Sequence, residues 1–145
     1  MAITITPMND DDLPAVLALW SVTEGMGLTE SDSPEHLRAY LARNPGLSLV
    51  VRDGSKIVGA VLCGHDGRRG ALHHLAVMPE YRKRGLGTRM VETCLKSMGA
   101  IGIVKCHILV YADNELGKQF WRACGWSGRS DLEFLQHECP RLEGN

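Results

Sequence analysis

The period of the apolar positions changes repeatedly along the chain, and each change marks a change of element. Ile3 to Thr6 reads as a short strand. Asp10, Asp11 and Asp12 then open a helix carrying Leu13, Val16, Leu17, Leu19 and Trp20, with Pro14 tolerable in its first turn. The Gly-rich, acidic stretch Thr23 to Asp32 separates it from a second helix, which starts at Ser33-Pro34-Glu35 and ends at Asn44-Pro45-Gly46. Leu47 to Arg52 and Lys56 to Cys63 are β-branched runs about Asp53-Gly54, the composition of a hairpin. Ala71 to Met78 is a further strand. Leu86, Met90, Val91, Cys94, Leu95 and Met98 recur at helical spacing, giving a third helix one apolar stripe. Ile103 to Val110 reads as a strand, Asn114 to Cys124 as a helix stopped by Gly125, and Leu132 to His137 as a last strand. The order β-α-α-β-β-β-α-β-α-β predicts an α/β fold with a mixed central sheet flanked by helices, one domain over residues 1–145.

The segment Arg82-Lys83-Arg84-Gly85-Leu86-Gly87-Thr88 joins a strand to a helix. Glycines one residue apart admit a ligand close to the backbone, and the first amides of the helix have no intrahelical partners. The helix dipole adds partial positive charge there, and Arg82, Lys83 and Arg84 add whole charges, so the turn suits phosphate. It is neither a Walker loop, which needs Gly-Lys-Ser/Thr, nor a Rossmann turn, because Met90 stands where a third glycine belongs.

Leu75-Ala76-Val77-Met78-Pro79-Glu80-Tyr81-Arg82-Lys83-Arg84-Gly85-Leu86-Gly87, followed by Asn114-Glu115-Leu116-Gly117-Lys118-Gln119-Phe120-Trp121 and Gly125-Trp126, resembles the two signature blocks of the GNAT superfamily of acetyl-CoA-dependent N-acetyltransferases. The resemblance covers nearly the whole chain, and is strongest to small bacterial members of the YpeA type and to those like the ribosomal-protein N-terminal acetyltransferases. It implies acetyl-CoA as co-substrate and direct acetyl transfer to a primary amine of a small molecule or a protein N-terminus. It also implies that Arg82 to Thr88 hold the pyrophosphate, that backbone groups of Leu75, Ala76 and Val77 hold the pantetheine arm between two splayed strands, and that Asn114 and the position of Trp121 border the cofactor.

The resemblance leaves the chemistry partly open. Many of its members use a Tyr at the position of Trp121 to protonate the departing thiolate, and an indole cannot do so. Tyr111 is the substitute by strand alternation, and His73 is the base implied by arylalkylamine-type members, with His74 expected to point the other way. Leu109 stands where N-terminal acetyltransferase members carry a Glu base. A module that binds CoA with little or no catalysis is the alternative reading.

Composition narrows the partners. The 145 residues carry 16 Lys plus Arg against 17 Asp plus Glu, a net charge of −1, which offers no global field for nucleic acid or anionic lipid. No stretch approaches the roughly 20 apolar residues of a membrane span, and the N-terminus lacks a basic leader, so a cytoplasmic location is expected. Cys63, Cys94, Cys106, Cys124 and Cys139 form no C-x-x-C pair, and the histidines show no helical H-x-x-x-H spacing, so neither a disulfide framework nor a metal is expected. Glu24, Glu30 and Asp32 give the segment before the second helix a charge suited to a cationic acceptor. A homodimer is neither indicated nor excluded by any heptad run.

Overall fold

Alternation and β-branching in the first half of the chain build most of one sheet. In a computed structural model, which describes residues 2–141, β1 (Ile3–Pro7), β2 (Leu49–Asp53), β3 (Lys56–His65), β4 (Gly70–Val77) and β5 (Cys106–His107) lie side by side in that order. The pairs from β1 to β4 are antiparallel and β4–β5 is parallel, so the sheet is mixed. Gly54, at φ 63°, takes the left-handed conformation that the tight turn between β2 and β3 needs.

Helices cover both faces. Val50, Ile57, Ala60, Leu62 and Ala76 pack against α1 (Leu13–Ser21) and α2 (Pro34–Arg43), which contribute Val16, Leu19, Trp20, Leu37 and Leu41. On the other face Leu49, Val51, Val58, Val61 and Cys63 meet Leu86, Met90, Val91, Cys94 and Met98 of α3 (Leu86–Ala100), while Phe120 and Trp121 of α4 (Glu115–Ala123) pack at the margin of this cluster. The predicted stripe of α3 is therefore its buried face, except that Leu95 is 39% exposed.

Side-chain caps fix where the helices begin. Asn9 and Asp12 cap a short 3-10 turn reciprocally, and the Asp12 carboxylate also receives Arg52 Nη2 at 2.8 and 2.9 Å. A second reciprocal cap joins Thr29 and Asp32: the Thr29 N–H donates to Asp32 Oδ2 at 3.0 Å, and Ser33 then caps α2 through the His36 N–H. This second cap fixes the orientation of the Asp32 carboxylate.

The last third departs from the expected pattern. The strand expected over Ile103 to Val110 is regular only at Cys106–His107, because the chain moves away from β4 after the pairs Gly70–Cys106 and Ala71–His107. No strand forms over Leu132 to His137, where Leu132, Phe134 and Leu135 are 60%, 62% and 84% exposed. A two-residue β5 offers almost no edge for a further strand to pair with, and alternation alone supplies no partner. The observed order is β-α-α-β-β-β-α-β-α, the expected one without its last strand.

Candidate active site

A bulge in β4 shapes the centre of the molecule. Leu62 opposes His73 and Ala60 opposes Ala76, so His74 and Leu75 together stand opposite Val61. His74 sits at φ 55°, in the left-handed region that costs a non-glycine residue roughly 1–2 kcal/mol. The extra residue breaks the alternation. His74 therefore does not point away from His73 as expected; the two rings are 6.4 Å apart, and both line the same cleft.

Beyond Ala71 the β5 side of β4 has no strand neighbour among the described residues. The Met78 N–H donates to Val58 on β3 at 2.8 Å, and antiparallel alternation turns the backbone groups of Ala76 the same way. Those of Leu75 and Val77 consequently face the gap, where the Val77 carbonyl accepts from Arg82 Nε at 2.9 Å.

The loop before α3 opens into the same gap. Gly85, the N-cap of α3, lies at φ 76°, and no side chain caps the helix. Lys83 is also left-handed, at φ 63°. A Cβ at Gly85 would meet no atom within 4 Å, whereas one at Gly87 would lie 3.2 Å from Phe120 Cζ. Arg84 donates to the Glu80 carbonyl at 3.2 Å and stacks its guanidinium 4.9 Å from the Tyr81 ring centre. Arg82 and Arg84 thus brace the loop, and Arg84 stays outside the cleft lining that contains Arg82, Lys83, Gly85, Leu86, Gly87 and Thr88.

The opposite wall is formed by residues 108–112 and α4. Asn114 caps α4 by accepting from the Gly117 N–H at 2.9 Å. Trp121 stands edge-on to Phe120 and Trp126, with ring centres 5.2 and 5.0 Å away, in the position where a phenol was missing. The connection after α1 closes one end. A Cβ at Gly25 would lie 2.9 Å from Asn114 Nδ2, and one at Gly27 would lie 2.0 Å from the Tyr111 hydroxyl oxygen. Glycine at these positions lets the loop touch both residues. These walls enclose a cleft of about 1140 Å³.

Glu24, Arg82 and Lys83 bring charge to the cleft lining, which also carries the imidazoles of His73 and His74. His74 Nε2 lies 2.9 Å from Asp32 Oδ1, and its ring packs 5.0 Å from that of Trp20. Burial pushes His73 below the usual imidazole range, assisted by His74 and His107, while Asp32 opposes the shift. The His73 ring meets Tyr40 edge-on at 6.4 Å. Cys94 is buried, and the neighbouring Cys63 thiol and burial push it far above the range in which a thiolate forms. Among the described residues no cluster of His, Cys, Asp or Glu could hold a metal ion, and no helix is long and apolar enough to cross a membrane.

The structure thus brings His73, Tyr111, Leu75, Ala76, Val77, Asn114 and Trp121 to the same cleft as the glycine loop. Sequence reasoning missed the pairing of His74 with Asp32, which lies 42 residues away; the one local hint was the Thr29-x-x-Asp32 capping pattern.

Comparison with known proteins agrees with this geometry. The chain is 35% identical over 108 residues to an acetyltransferase of Pectobacterium atrosepticum, covering 74% of this chain and 75% of that protein. It is 33% identical over 112 residues to an acetyltransferase of Sodalis glossinidius, with 77% and 78% covered. Among solved structures, the PaiA N-acetyltransferase of Thermoplasma acidophilum in complex with coenzyme A superposes with a TM-score of 0.73 at 22% identity, covering 85% of this chain and 88% of that one. Residues 13–126, which run from the first buried helix to the end of the Trp121 wall, match the acetyltransferase (GNAT) family, and the chain belongs to that family.

Proposed function

We propose that the protein transfers the acetyl group of acetyl-CoA directly to a primary amine, of a small molecule or a protein N-terminus, with residues 1–145 acting as one catalytic unit. Acetyl transfer from acetyl-CoA is the chemistry of the family. The observation that carries the reading is the meeting, in one cleft, of an unpaired strand edge and an uncapped helix N-terminus. An acyl-CoA needs both, because its pantetheine arm is an extended chain with amide groups and its pyrophosphate is a compact anion.

The residues present fit that co-substrate. The open space over Gly85 admits phosphate oxygens to the amides of Gly85, Leu86, Gly87 and Thr88, and Lys83 and Arg82 supply charge at the rim. Leu75 and Val77 offer backbone groups to the arm, while Ala76 forms wall. Asn114 spends its carbonyl oxygen on the α4 cap and keeps its amide nitrogen toward the loop at Gly25. Trp121 acts as an apolar wall. Tyr111, whose hydroxyl lies against Gly27, is the proton donor to the departing sulfur, and His73 is the neutral imidazole of the wall.

Binding of the acceptor is favoured by the glycine-rich acidic loop, whose Glu24 lines the cleft and attracts a cationic amine, which must lose a proton before it attacks. Calorimetry with acetyl-CoA, followed by mass spectrometry of a panel of polyamines, aminoglycosides and peptides, tests the proposal. Saturable binding with at least one acetylated product is expected. Binding without any product would favour the second reading, a CoA-binding module, to which Trp121 points; no binding would sink both.

A further inference from the structure

We propose that His74, held by Asp32, is the base that removes the proton from the acceptor nitrogen. The inference rests on the amine-acetylating reading above and adds a residue that neither the signature blocks nor strand alternation indicates.

Three observations carry it. First, His74 bears the left-handed φ of 55° at the β4 bulge. Few non-glycine residues adopt this conformation, histidine being one that tolerates it, and its retention in a cleft wall points to a task for the side chain. Second, the partner carboxylate is fixed on both oxygens. Asp32 Oδ2 accepts from the Thr29 N–H at 3.0 Å, and Asp32 Oδ1 lies 2.9 Å from His74 Nε2, with side-chain exposures of 11% for Asp32 and 19% for His74. A carboxylate accepts only, so Nε2 carries the hydrogen and the lone pair of the neutral ring sits on Nδ1. Third, no hydrogen bond among the described residues engages Nδ1, while the ring lines the cleft. His74 is thus a half-buried imidazole with one nitrogen oriented by an acid and the other left for a ligand.

The groups facing the pair define its electrostatics. Asp32 comes from the turn before α2, His73 lies on β4 itself, His107 on β5 acts on His73, and the ring packed against His74 is the uncharged indole of Trp20 on α1. His73 is less suited to the task, because burial depresses its basicity and its ring packs against Tyr40. In the transfer step the nitrogen lone pair forms the new N–C bond and the C–S bond breaks with its electrons on sulfur. One proton passes from nitrogen to His74 Nδ1, and one reaches sulfur from Tyr111 or water. Asp32 is the positioning residue that stabilises the imidazolium.

The test uses full-length protein with His74→Gly, which accepts the backbone conformation, and Asp32→Asn. At neutral pH, kcat/KM for an amine that the wild type acetylates should fall about 100-fold in His74→Gly. Acetyl-CoA affinity should stay within threefold, and added imidazole should restore part of the rate. Asp32→Asn should lose about tenfold and shift the acidic limb of the pH–rate profile. Independently of turnover, ¹⁵N imidazole spectra of the ligand-free protein should show neutral His74 protonated on Nε2. If His74→Gly does not fold by thermal unfolding, His74→Asn replaces it under the same criteria. A rate within threefold of wild type, a loss that imidazole does not relieve, or an Nδ1–H tautomer would each overturn the inference. Wild-type protein that acetylates nothing overturns the parent reading along with it, whereas wild-type turnover with an unimpaired variant overturns this inference alone.

Discussion

Replacing Gly85 with alanine separates backbone conformation from steric contact at the mouth of α3. At φ 76° the new Cβ incurs the left-handed penalty of roughly 1–2 kcal/mol, yet no atom lies within 4 Å to clash with it. Loss of stability should therefore equal the conformational term alone, lowering Tm by about 4 °C per kcal/mol for a chain of this size. Gly87→Ala is the control. Its Cβ would approach Phe120 Cζ and Cε1 at 3.2 and 3.3 Å, contacts that a small ring movement relieves, and its backbone is not left-handed. Its Tm should change by no more than about 2 °C, because better helix propensity offsets the crowding. Acetyl-CoA affinity should fall in both, since the Gly85→Ala methyl group enters open space of the cleft and the Gly87→Ala one crowds the cleft wall at Phe120. One lost charge-assisted hydrogen bond is worth roughly 1.5–3 kcal/mol, or about a 10- to 150-fold rise in Kd. Differential scanning calorimetry and titration calorimetry on the three proteins read both quantities. A Gly85→Ala variant with unchanged Tm and a Kd within twofold of wild type would refute the role given to this loop.

Gly27→Ala should leave Tm nearly unchanged but raise KM for the amine, because its Cβ would fall 2.0 Å from the Tyr111 hydroxyl and force that ring aside; steady-state kinetics at saturating acetyl-CoA check this. Arg52→Met leaves the buried Asp12 carboxylate without its cation, which should cost about 3 kcal/mol in urea unfolding, while a loss below 1 kcal/mol would mean that water replaces the guanidinium. His73 gives stability a pH dependence whose sign follows from its depressed pKa. Between the folded value and the ordinary value near 6.5 the unfolded chain binds more protons, so stability is complete above about pH 6.5 and is lost as the pH falls through that window. Tm measured from pH 8 to 5 should show this slope in the wild type and a shallower one in His73→Gln.

The local signals in the chain carried most of the fold. Ile3–Pro7, the Asp53-Gly54 turn, the Ser33 cap and the stripe of α3 are each set by neighbours a few residues apart, and these appear in the structure close to their expected bounds. The cleft was legible through its glycine loop, because the requirement for a left-handed residue at Gly85 is written in the residue type. The bulge was not. Ala71-Leu72-His73-His74-Leu75-Ala76 reads as plain strand, and the slip depends on pairing with β3. Long-range contacts were silent for the same reason: nothing near Asp32 announces His74, and nothing near Gly27 announces Tyr111. Arg84 looked like a free cation until its guanidinium stacked on Tyr81, and Leu132 to His137 had the composition of a strand but no neighbour to join.

The gap beside β4 has a consequence for the protein as a material. A strand whose Leu75 and Val77 backbone groups lack a strand partner is an edge inside the sheet, open to any extended chain that fits. Acetyl-CoA lying there would take up those groups and remove the edge, while stabilising the fold by about 2.7 kcal/mol at a hundred times its Kd. The co-substrate would thereby act as a solubilising strand. Ligand-free protein should aggregate sooner on storage and exchange the Leu75 amide hydrogen faster than protein kept loaded.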